Sequence, residues 1–310
     1  MQLKTMPDYN VLRLVPAVEA SLAANRPVVA LESTVLAHGL PRPLNSKTAQ
    51  RLERIIADAG ATPATIAILD GQILVGLTET QLRVIVESDQ IKKISTRDLA
   101  VALARGWNGA TTVASTIRIA RRVGIQIFAT GGIGGVHRGS LPDISADLPE
   151  LARTPIVVVC SGPKIVLDLP ATREWMETNS ITVVGYQCEE MPAFYTRQSG
   201  LNVDVIANSS EDVAQLVRAQ RALKIESALL VTVPVPAEYE VPAALVEQVL
   251  GDAISAAERQ QVAGRELTPF LLARMSEMSE GATLRANIAL LENNARIAAE
   301  IAQALAEKAL

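Results

Sequence analysis

The sequence predicts an α/β fold in which a mainly parallel sheet is covered by helices and the chain ends in a helical segment. Short apolar runs rich in Val and Ile alternate with segments of helical periodicity through most of the 310 residues. The runs do not alternate apolar with polar residues, which indicates strands buried on both faces. The segments between them are long enough for helical crossovers, and such crossovers join parallel strands.

Six apolar runs are the predicted strands. In chain order they are 26–34 (RPVVALEST), 65–69 (TIAIL), 125–130 (IQIFAT), 155–160 (PIVVVC), 181–186 (ITVVGY) and 228–234 (ALLVTVP).

The connecting segments have the apolar spacing of amphipathic helices. Segments 45–60, 96–106 and 211–223 each place their apolar residues three or four positions apart, which predicts one buried face. Gly60 stands where a left-handed helix end is expected.

The last seventy residues contain helical patterns and no strand pattern. The predicted helices are 241–264, 267–281 and 283–310. We find no internal repeat, low-complexity stretch or long linker, so we predict a single domain over residues 1–310.

Composition and charge exclude two classes of partner. The formal net charge of −4 lacks the basic excess of a protein that binds a nucleic-acid backbone. No apolar run is long enough to cross a bilayer, and the start (MQLKTMPDYNVLRLVPAVEAS) has no apolar signal core, so we expect no membrane partner. Two cysteines in an ordinary chain are typical of a reducing compartment, which predicts a cytoplasmic protein.

The segment 129–140 (ATGGIGGVHRGS) packs five glycines directly after a predicted strand. It fails the dinucleotide fingerprint, because the third glycine position after Gly132 and Gly134 is His137, and the chain has no Gly-Lys-Ser/Thr phosphate loop. Two alternatives remain. The loop either presents backbone N–H groups to an anion or a substrate, or forms a tight corner between packed elements.

Ligands in open α/β sheets sit beyond the carboxyl ends of the strands, so polar residues that follow apolar runs are candidates. Lys164 follows the run 155–160. A lysine in apolar surroundings tends to lose its proton and become an amine nucleophile able to form a Schiff base; alternatively, its stem lies on apolar surface and its head reaches water. Glu32 is either a general acid whose pKa is raised by its surroundings or a helix cap.

Other polar residues are weaker candidates. Asp143 and Asp147 suit a hard divalent cation, or else cap the following helix. Lys93 either holds a phosphate or lies exposed on the surface. His38 and His137 are not spaced as a metal pair, so we expect hydrogen-bonded loop histidines.

Ten segments, in order, resemble those of the pseudouridine-5′-phosphate glycosidases, also called the indigoidine synthase A-like family. They are ALESTVLAHGLPRPLN, ATPATIAILDGQILVGL, KISTRDL, NGATTVAST, FATGGIGGVHRG, DISADL, VVVCSGPK, PAFY, TPFLLARM and NIALLENNARIAAEIA. The resemblance implies a three-layer αβα sandwich and a homotrimer. It also implies a reaction in which pseudouridine 5′-phosphate and water interconvert with uracil and ribose 5-phosphate, assisted by a divalent metal, manganese.

The resemblance also assigns roles to residues. Lys164 matches the nucleophile, Glu32 the proton donor and Asp143 the metal-linked acid. The matching substrate contacts are Lys93, Val113, Ser145, Ala146 and Asp147, and further site-lining positions are Thr112, His137 and Asn287. The loop 140–142 (SLP) before Asp143 is shorter than in the family.

On this basis we expect the glycine-rich loop to shape the wall of the site, with Lys93, Thr111, Thr112 and Ser145 holding the phosphate. Two alternatives stay open. One is a phosphosugar aldolase or isomerase that uses the same lysine, and the other is a non-catalytic sugar-phosphate-binding protein.

Overall fold

The computed structural model describes residues 11–139, 143–262 and 264–306. Its strands are β1 (Leu12–Leu14), β2 (Val28–Leu31), β3 (Thr62–Leu69), β4 (Gln72–Val75), β5 (Lys92–Ile94), β6 (Gly109–Thr111), β7 (Ile127–Ala129), β8 (Val136–His137), β9 (Val157–Cys160), β10 (Leu167–Asp168), β11 (Thr182–Tyr186), β12 (Val205–Ala207) and β13 (Leu229–Thr232). Its helices are α1 (Pro16–Ala23), α2 (Leu44–Asp58), α3 (Glu79–Glu87), α4 (Leu99–Ala104), α5 (Val113–Arg122), α6 (Asp147–Leu151), α7 (Leu169–Thr178), α8 (Ser210–Ala222), α9 (Ala243–Arg259), α10 (Leu267–Met278) and α11 (Ala282–Ala306).

Seven parallel strands form the centre of the sheet, in the order β3-β2-β7-β9-β13-β11-β12. Each of the six predicted strands contributes one of them, so the mainly parallel sheet is confirmed. Beyond β3 the sheet continues through β4 and β6, which both pair antiparallel with β3. β1 pairs in parallel with β4, and β5 pairs in parallel with β6. A separate antiparallel pair joins β8 to β10.

Alternate residues of each parallel strand pack into opposite helical layers. In β9, Val157 and Val159 pack with residues of α2, α8, α9, α10 and α11, whereas Val158 and Cys160 pack with residues of α1, α5, α6 and α7. Burying one aliphatic side chain contributes about 1.5–3 kcal/mol, so an apolar strand stabilises both layers. This arrangement confirms the three-layer αβα sandwich.

The C-terminal end is helical, as predicted. Helix α11 ends the described chain and packs against the sheet, while α9 stops before the predicted end at 264 because Gln261 adopts a left-handed φ of 54°. Gly60 takes the expected positive φ, 80°, after α2. Within the three described stretches, none of the helices has both the length and the apolarity that a bilayer crossing requires.

Candidate active site

A small cavity lies at the carboxyl edge of the parallel strands. Glu32 follows β2, Thr130 follows β7 and Lys164 follows β9, and all three line the cavity. The three strands are neighbours in the sheet, so the residues that follow them converge at one edge. The sequence-predicted pair of carboxyl and amine therefore shares one cavity.

Glu32 is buried in the cavity wall, with 6% of its surface exposed. Its Oε1 accepts a hydrogen bond of 2.5 Å from Thr130 Oγ1. Burial raises the pKa of Glu32, and the Lys164 charge and the Thr130 hydrogen bond offset this only in part. A carboxyl that keeps its proton to higher pH than usual suits a general acid. The side chain bonds to Thr130 rather than to the start of a helix.

Lys164 is half-buried and follows a turn that requires glycine. Gly162 has a φ of +79°, and a Cβ atom there would lie 2.1 Å from the Pro192 carbonyl oxygen. After the turn, the backbone N–H of Lys164 donates to the Ile133 carbonyl oxygen (3.1 Å). The glycine-rich loop thus fixes the backbone from which the amine reaches the cavity.

Lys93, on β5, is half-buried and lines the same cavity. Burial lowers the pKa of Lys93, and the nearby Lys164 charge lowers it further, while Asp147, Glu32 and Glu266 oppose the shift. The alternative of an exposed surface lysine is wrong, because the side chain is drawn into the wall of the site. Its phosphate contact stays a prediction.

Asp147 clamps two backbone segments together. Its Oδ1 accepts from the Ala114 N–H (2.9 Å) in the first turn of α5, and its Oδ2 accepts from the Gly134 N–H (2.8 Å). A carboxylate at a helix N-terminus is favourable because of the helix dipole. The expected cap of the following helix is wrong, because the carboxylate caps α5, a helix that precedes it in the chain. Its substrate contact stays a prediction.

The glycine-rich loop is a closely packed corner that also forms part of the cavity wall. A Cβ at Gly132 would lie 2.7 Å from the Phe194 ring, and one at Gly134 would lie 2.2 Å from Ser145 Oγ. Gly131 and Gly132 line the cavity. The tight-corner alternative therefore describes the packing of the loop, and the loop also contributes to the wall of this cavity; that the cavity is the substrate site stays a prediction.

Several other predicted residues are not part of this cavity lining. Thr112 and Val113 begin α5, and Val113 is buried. Thr111 is fully buried and its hydroxyl donates to the Ile66 carbonyl oxygen (2.7 Å), so the expected phosphate contact of Thr111 is wrong. Half-buried His137 lies on β8 and lines another groove, beside α9 and α10.

The segment 143–147 pairs with the glycine-rich loop. Asp143 accepts through its carbonyl oxygen from the His137 N–H (2.8 Å), and Ser145 donates through its N–H to the Gly135 carbonyl oxygen (2.9 Å). Asp143 and Ala146 are exposed, and Ser145 is half-buried. The roles predicted for these residues stay predictions.

Among the predicted site residues that the structure describes, Asp143 alone offers a free carboxylate side chain to a divalent metal, so the fit is that of a cation held by one carboxylate. The described part of the chain contains no group of three or more His, Cys, Asp or Glu residues placed to hold a metal ion together. Asp147 already accepts two backbone N–H groups, whereas the Asp143 side chain is exposed. Small hard cations commonly keep several waters and bind through one or two carboxylates plus a substrate phosphate. The short loop 140–142 lies outside the described residues.

Asn287 lines the cavity as predicted, and the structure adds residues that sequence reasoning missed. Thr130 and Phe194 belong to the lining, and so does His38, which lies on a π-helical turn instead of a loop. Thr130 ends an apolar run, so the rule that found Glu32 also applies to it. No sequence signal distinguishes His38 or Phe194.

Comparison with known proteins gives one family match and several named relatives. The family model described as indigoidine synthase A like protein matches residues 17–304. Pseudouridine-5′-phosphate glycosidase of Caldanaerobacter subterraneus subsp. tengcongensis is 48% identical over 287 residues, which cover 92% of this chain and 94% of that one.

Two solved structures have the same fold. An indigoidine synthase A-like protein from Thermotoga maritima is 37% identical with a TM-score of 0.88, and the match covers 98% of this chain and all of that one. The prealnumycin C-glycosynthase AlnA, solved in complex with ribulose 5-phosphate, is 36% identical with a TM-score of 0.88, over 97% of this chain and 98% of that one.

The fold and the site together define an α/β enzyme with its cavity at the carboxyl edge of a parallel sheet. The chain belongs to the indigoidine synthase A-like family, as the resemblance of its motifs predicted.

Proposed function

We propose that the chain reversibly cleaves the bond between uracil and ribose in pseudouridine 5′-phosphate, giving uracil and ribose 5-phosphate, through a covalent bond from Lys164 to the sugar. The proposal rests on one observation: an amine and a buried carboxyl with a raised pKa line the same cavity. The names of the curated relatives support the substrate, and the pentose 5-phosphate bound to AlnA supports its sugar half.

The bond to be cleaved explains why both groups are needed. Pseudouridine joins ribose C1′ to a carbon of uracil, and carbon leaves with its electron pair much less readily than nitrogen does. The reaction therefore needs a nitrogen lone pair on C1′ to drive the base out and an acid to protonate the ring carbon.

In the proposed sequence, the Lys164 amine forms a bond to C1′ as the C1′–O4′ bond breaks, and a proton from the attacking nitrogen ends on O4′. The nitrogen lone pair then forms a C=N bond as the C1′–C5 bond to uracil breaks. The electron pair of that bond goes to uracil C5, which is protonated. Water hydrolyses the Schiff base, so the free amine and ribose 5-phosphate are released.

Glu32 is the proton donor to uracil C5 in this scheme. Its raised pKa keeps the proton available, and the Thr130 hydrogen bond fixes the carboxyl at the end of β7. Lys93 would pair with the 5′-phosphate as a positive point charge. A divalent cation on Asp143, manganese in this proposal, would supply a charge that orders water and polarises oxygen atoms.

Borohydride trapping tests the proposal. The chain is incubated with ribose 5-phosphate, reduced with borohydride and digested, and the Lys164 peptide is expected to gain the mass of the reduced sugar. Lys164→Arg, which keeps the charge but not the amine nucleophile, is the control and should carry no label. Uracil release from pseudouridine 5′-phosphate by a chain whose Lys164 stays unlabelled would overturn the mechanism.

The uracil assay also separates the alternatives. An aldolase or isomerase would label Lys164 without releasing uracil, and a sugar-phosphate-binding protein would do neither. Repeating the assay after chelation and after addition of manganese tests the metal. The homotrimer and the cytoplasmic location stay predictions from the resemblance and the composition.

A further inference from the structure

Two residues of the cavity lining bury polar atoms that lack a hydrogen-bond partner among the described residues. These atoms are His38 Nε2 and Asn287 Oδ1. Buried polar atoms are almost always hydrogen-bonded in native structures, so each of these atoms calls for a partner that a ligand or an ordered water supplies. Asn287 already belongs to the expected site, whereas His38 has no role in the mechanism above.

His38 is held by a short turn that the fold fixes from two sides. The π-helical turn Val35–Gly39 follows β2, and π-helical turns are frequent at functional sites. Asn45 Nδ2 donates to the Leu36 carbonyl oxygen (3.0 Å) and to the Val86 carbonyl oxygen (2.9 Å). The turn is thus tied to α2 and α3, which sets the direction of the imidazole.

The charge around His38 favours an uncharged partner. Burial lowers the pKa of His38 and the Lys93 charge lowers it further, with Glu266 opposing, so the ring is neutral at neutral pH. A neutral imidazole donates one hydrogen bond through a ring N–H or accepts one at the other nitrogen. Lys93 is better suited than this ring to a phosphate dianion.

The lining of the cavity favours a partly apolar partner. Val35, Phe194, Pro269 and Leu272 supply apolar walls beside the few polar groups. Such a lining suits a planar ring whose edge carries hydrogen-bonding groups. A uracil ring has this character, because its edge alternates C=O acceptors with N–H donors.

We propose that His38 recognises the base: its Nε2 hydrogen-bonds the edge of the uracil ring and makes His38 a specificity-determining residue of this enzyme. The inference rests on the proposed function, because it names the part of that substrate which His38 contacts.

The synthetic direction separates the two halves of the substrate, because uracil and ribose 5-phosphate are then added independently. In His38→Phe, which keeps a planar ring without polar atoms, KM for uracil is expected to rise about tenfold. KM for ribose 5-phosphate and borohydride labelling of Lys164 should be unchanged. His38→Gln, whose amide reaches the position of Nε2, should recover most of the affinity for uracil.

Labelling of Lys164 also shows that each variant is folded. If His38→Phe takes no label, it is replaced by His38→Asn, whose shorter side chain has no polar atom at the position of Nε2. KM for uracil is then compared between His38→Asn and His38→Gln. An unchanged KM for uracil, an equal rise in both KM values, or equal loss in the Gln and Phe variants would overturn the inference alone. A wild-type chain that neither takes label nor releases uracil would overturn the proposed function, and this inference with it.

Discussion

Thr130 Oγ1 donates a hydrogen bond of 2.5 Å to Glu32 Oε1 across the ends of two neighbouring strands, although the two residues are 98 positions apart. The backbone of Thr130 is itself fixed at both polar atoms. Its N–H donates to the Val159 carbonyl oxygen (3.0 Å), and its carbonyl oxygen accepts from Asn294 Nδ2 (2.9 Å). The position of the acid therefore depends on the sheet and on α11.

Thr130→Val should move the alkaline limb of the pH profile. The hydrogen bond lowers the pKa of Glu32, so its loss raises that pKa further, and activity that needs protonated Glu32 persists to higher pH. The loss of a hydrogen bond to an ionisable group should also lower kcat about tenfold. The profile of kcat/KM against pH measures the shift. Thr130→Ser keeps the hydroxyl and should match the wild type; an unmoved limb in Thr130→Val would contradict the role of Glu32 as the acid.

Glu32→Gln should lower kcat about 10²–10⁴-fold and yet stabilise the fold at neutral pH. Because the folded pKa of Glu32 is raised, its contribution to the free energy of unfolding is present below the ordinary carboxyl pKa and is lost as pH rises through the raised value. Gln carries no charge, so the advantage of the variant grows over that window. Urea unfolding at a series of pH values measures it.

Glu53→Gln is the matched control for this stability effect. Burial also raises the pKa of Glu53, which accepts a 2.6 Å hydrogen bond from Thr65 and does not belong to the cavity lining. It should show the same sign of pH-dependent stabilisation with normal turnover. A Glu32→Gln chain no more stable than the wild type at any pH would show that burial of this carboxyl carries no cost.

Lys93→Ala should raise KM for pseudouridine 5′-phosphate much more than KM for pseudouridine, because only the former carries the phosphate. Loss of a hydrogen bond to a charged group predicts a rise of about 10- to 100-fold. Lys92→Ala is the control from the same strand: that side chain is exposed and lies over the Trp107 ring (4.7 Å), so its KM values should not change. Equal rises in KM for the nucleotide and the nucleoside in Lys93→Ala would reject the phosphate contact.

Gly132→Ala should destabilise the fold by about 1–3 kcal/mol through overpacking. The added Cβ would lie 2.7 Å from the Phe194 ring and 2.9 Å from the Gly162 carbonyl oxygen. Gly251→Ala, in α9 with no atom within 4 Å of the added Cβ, should instead stabilise by about 0.5–1 kcal/mol. Urea unfolding compares the two, and similar effects in both variants would refute the close packing of the loop.

Asn294→Ala should cost about 1–3 kcal/mol of unfolding free energy, because it leaves buried acceptors without a donor. Asn294 is fully buried, and its Nδ2 donates to the Thr130 carbonyl oxygen and to Ser161 Oγ (3.1 Å). Asn293→Ala removes only an exposed hydrogen bond from Arg296 and should change stability by less than about 0.5 kcal/mol. Thermal unfolding measures both, and a stable Asn294→Ala would remove the link between α11 and the acid.

The sequence was sufficient to predict the central parallel strands, but not the strands β4, β5 and β6 that extend the sheet beyond β3. Six of the central strands lie in apolar runs such as VVAL and VVVC, a pattern typical of strands buried on both faces. By contrast, β5 is three residues long and begins with two lysines, so neither periodicity nor hydrophobicity marks it. Its position depends on pairing with β6, a contact that local patterns do not encode.

The candidate site was predictable where side chains follow strands. Glu32 and Lys164 obey that rule, because parallel strands bring their carboxyl ends to one edge. Asp147 does not, since its carboxylate caps a helix 33 residues earlier in the chain, while capping rules consider only adjacent residues. His38 depends on an unusual π-helical turn, and Thr111 points into the sheet because β6 adds to β3 there.

The close packing around Gly131 and Gly132 limits which residues of the cavity lining can be substituted by larger ones. Leu290 and Leu291 already fill the space beside Gly131, as Phe194 does beside Gly132, so enlarging either residue would collide with its neighbours. Val35, Pro269 and Leu272 line the same cavity from outside the sheet. Directed evolution toward other bases should therefore randomise these three positions and leave the glycines untouched.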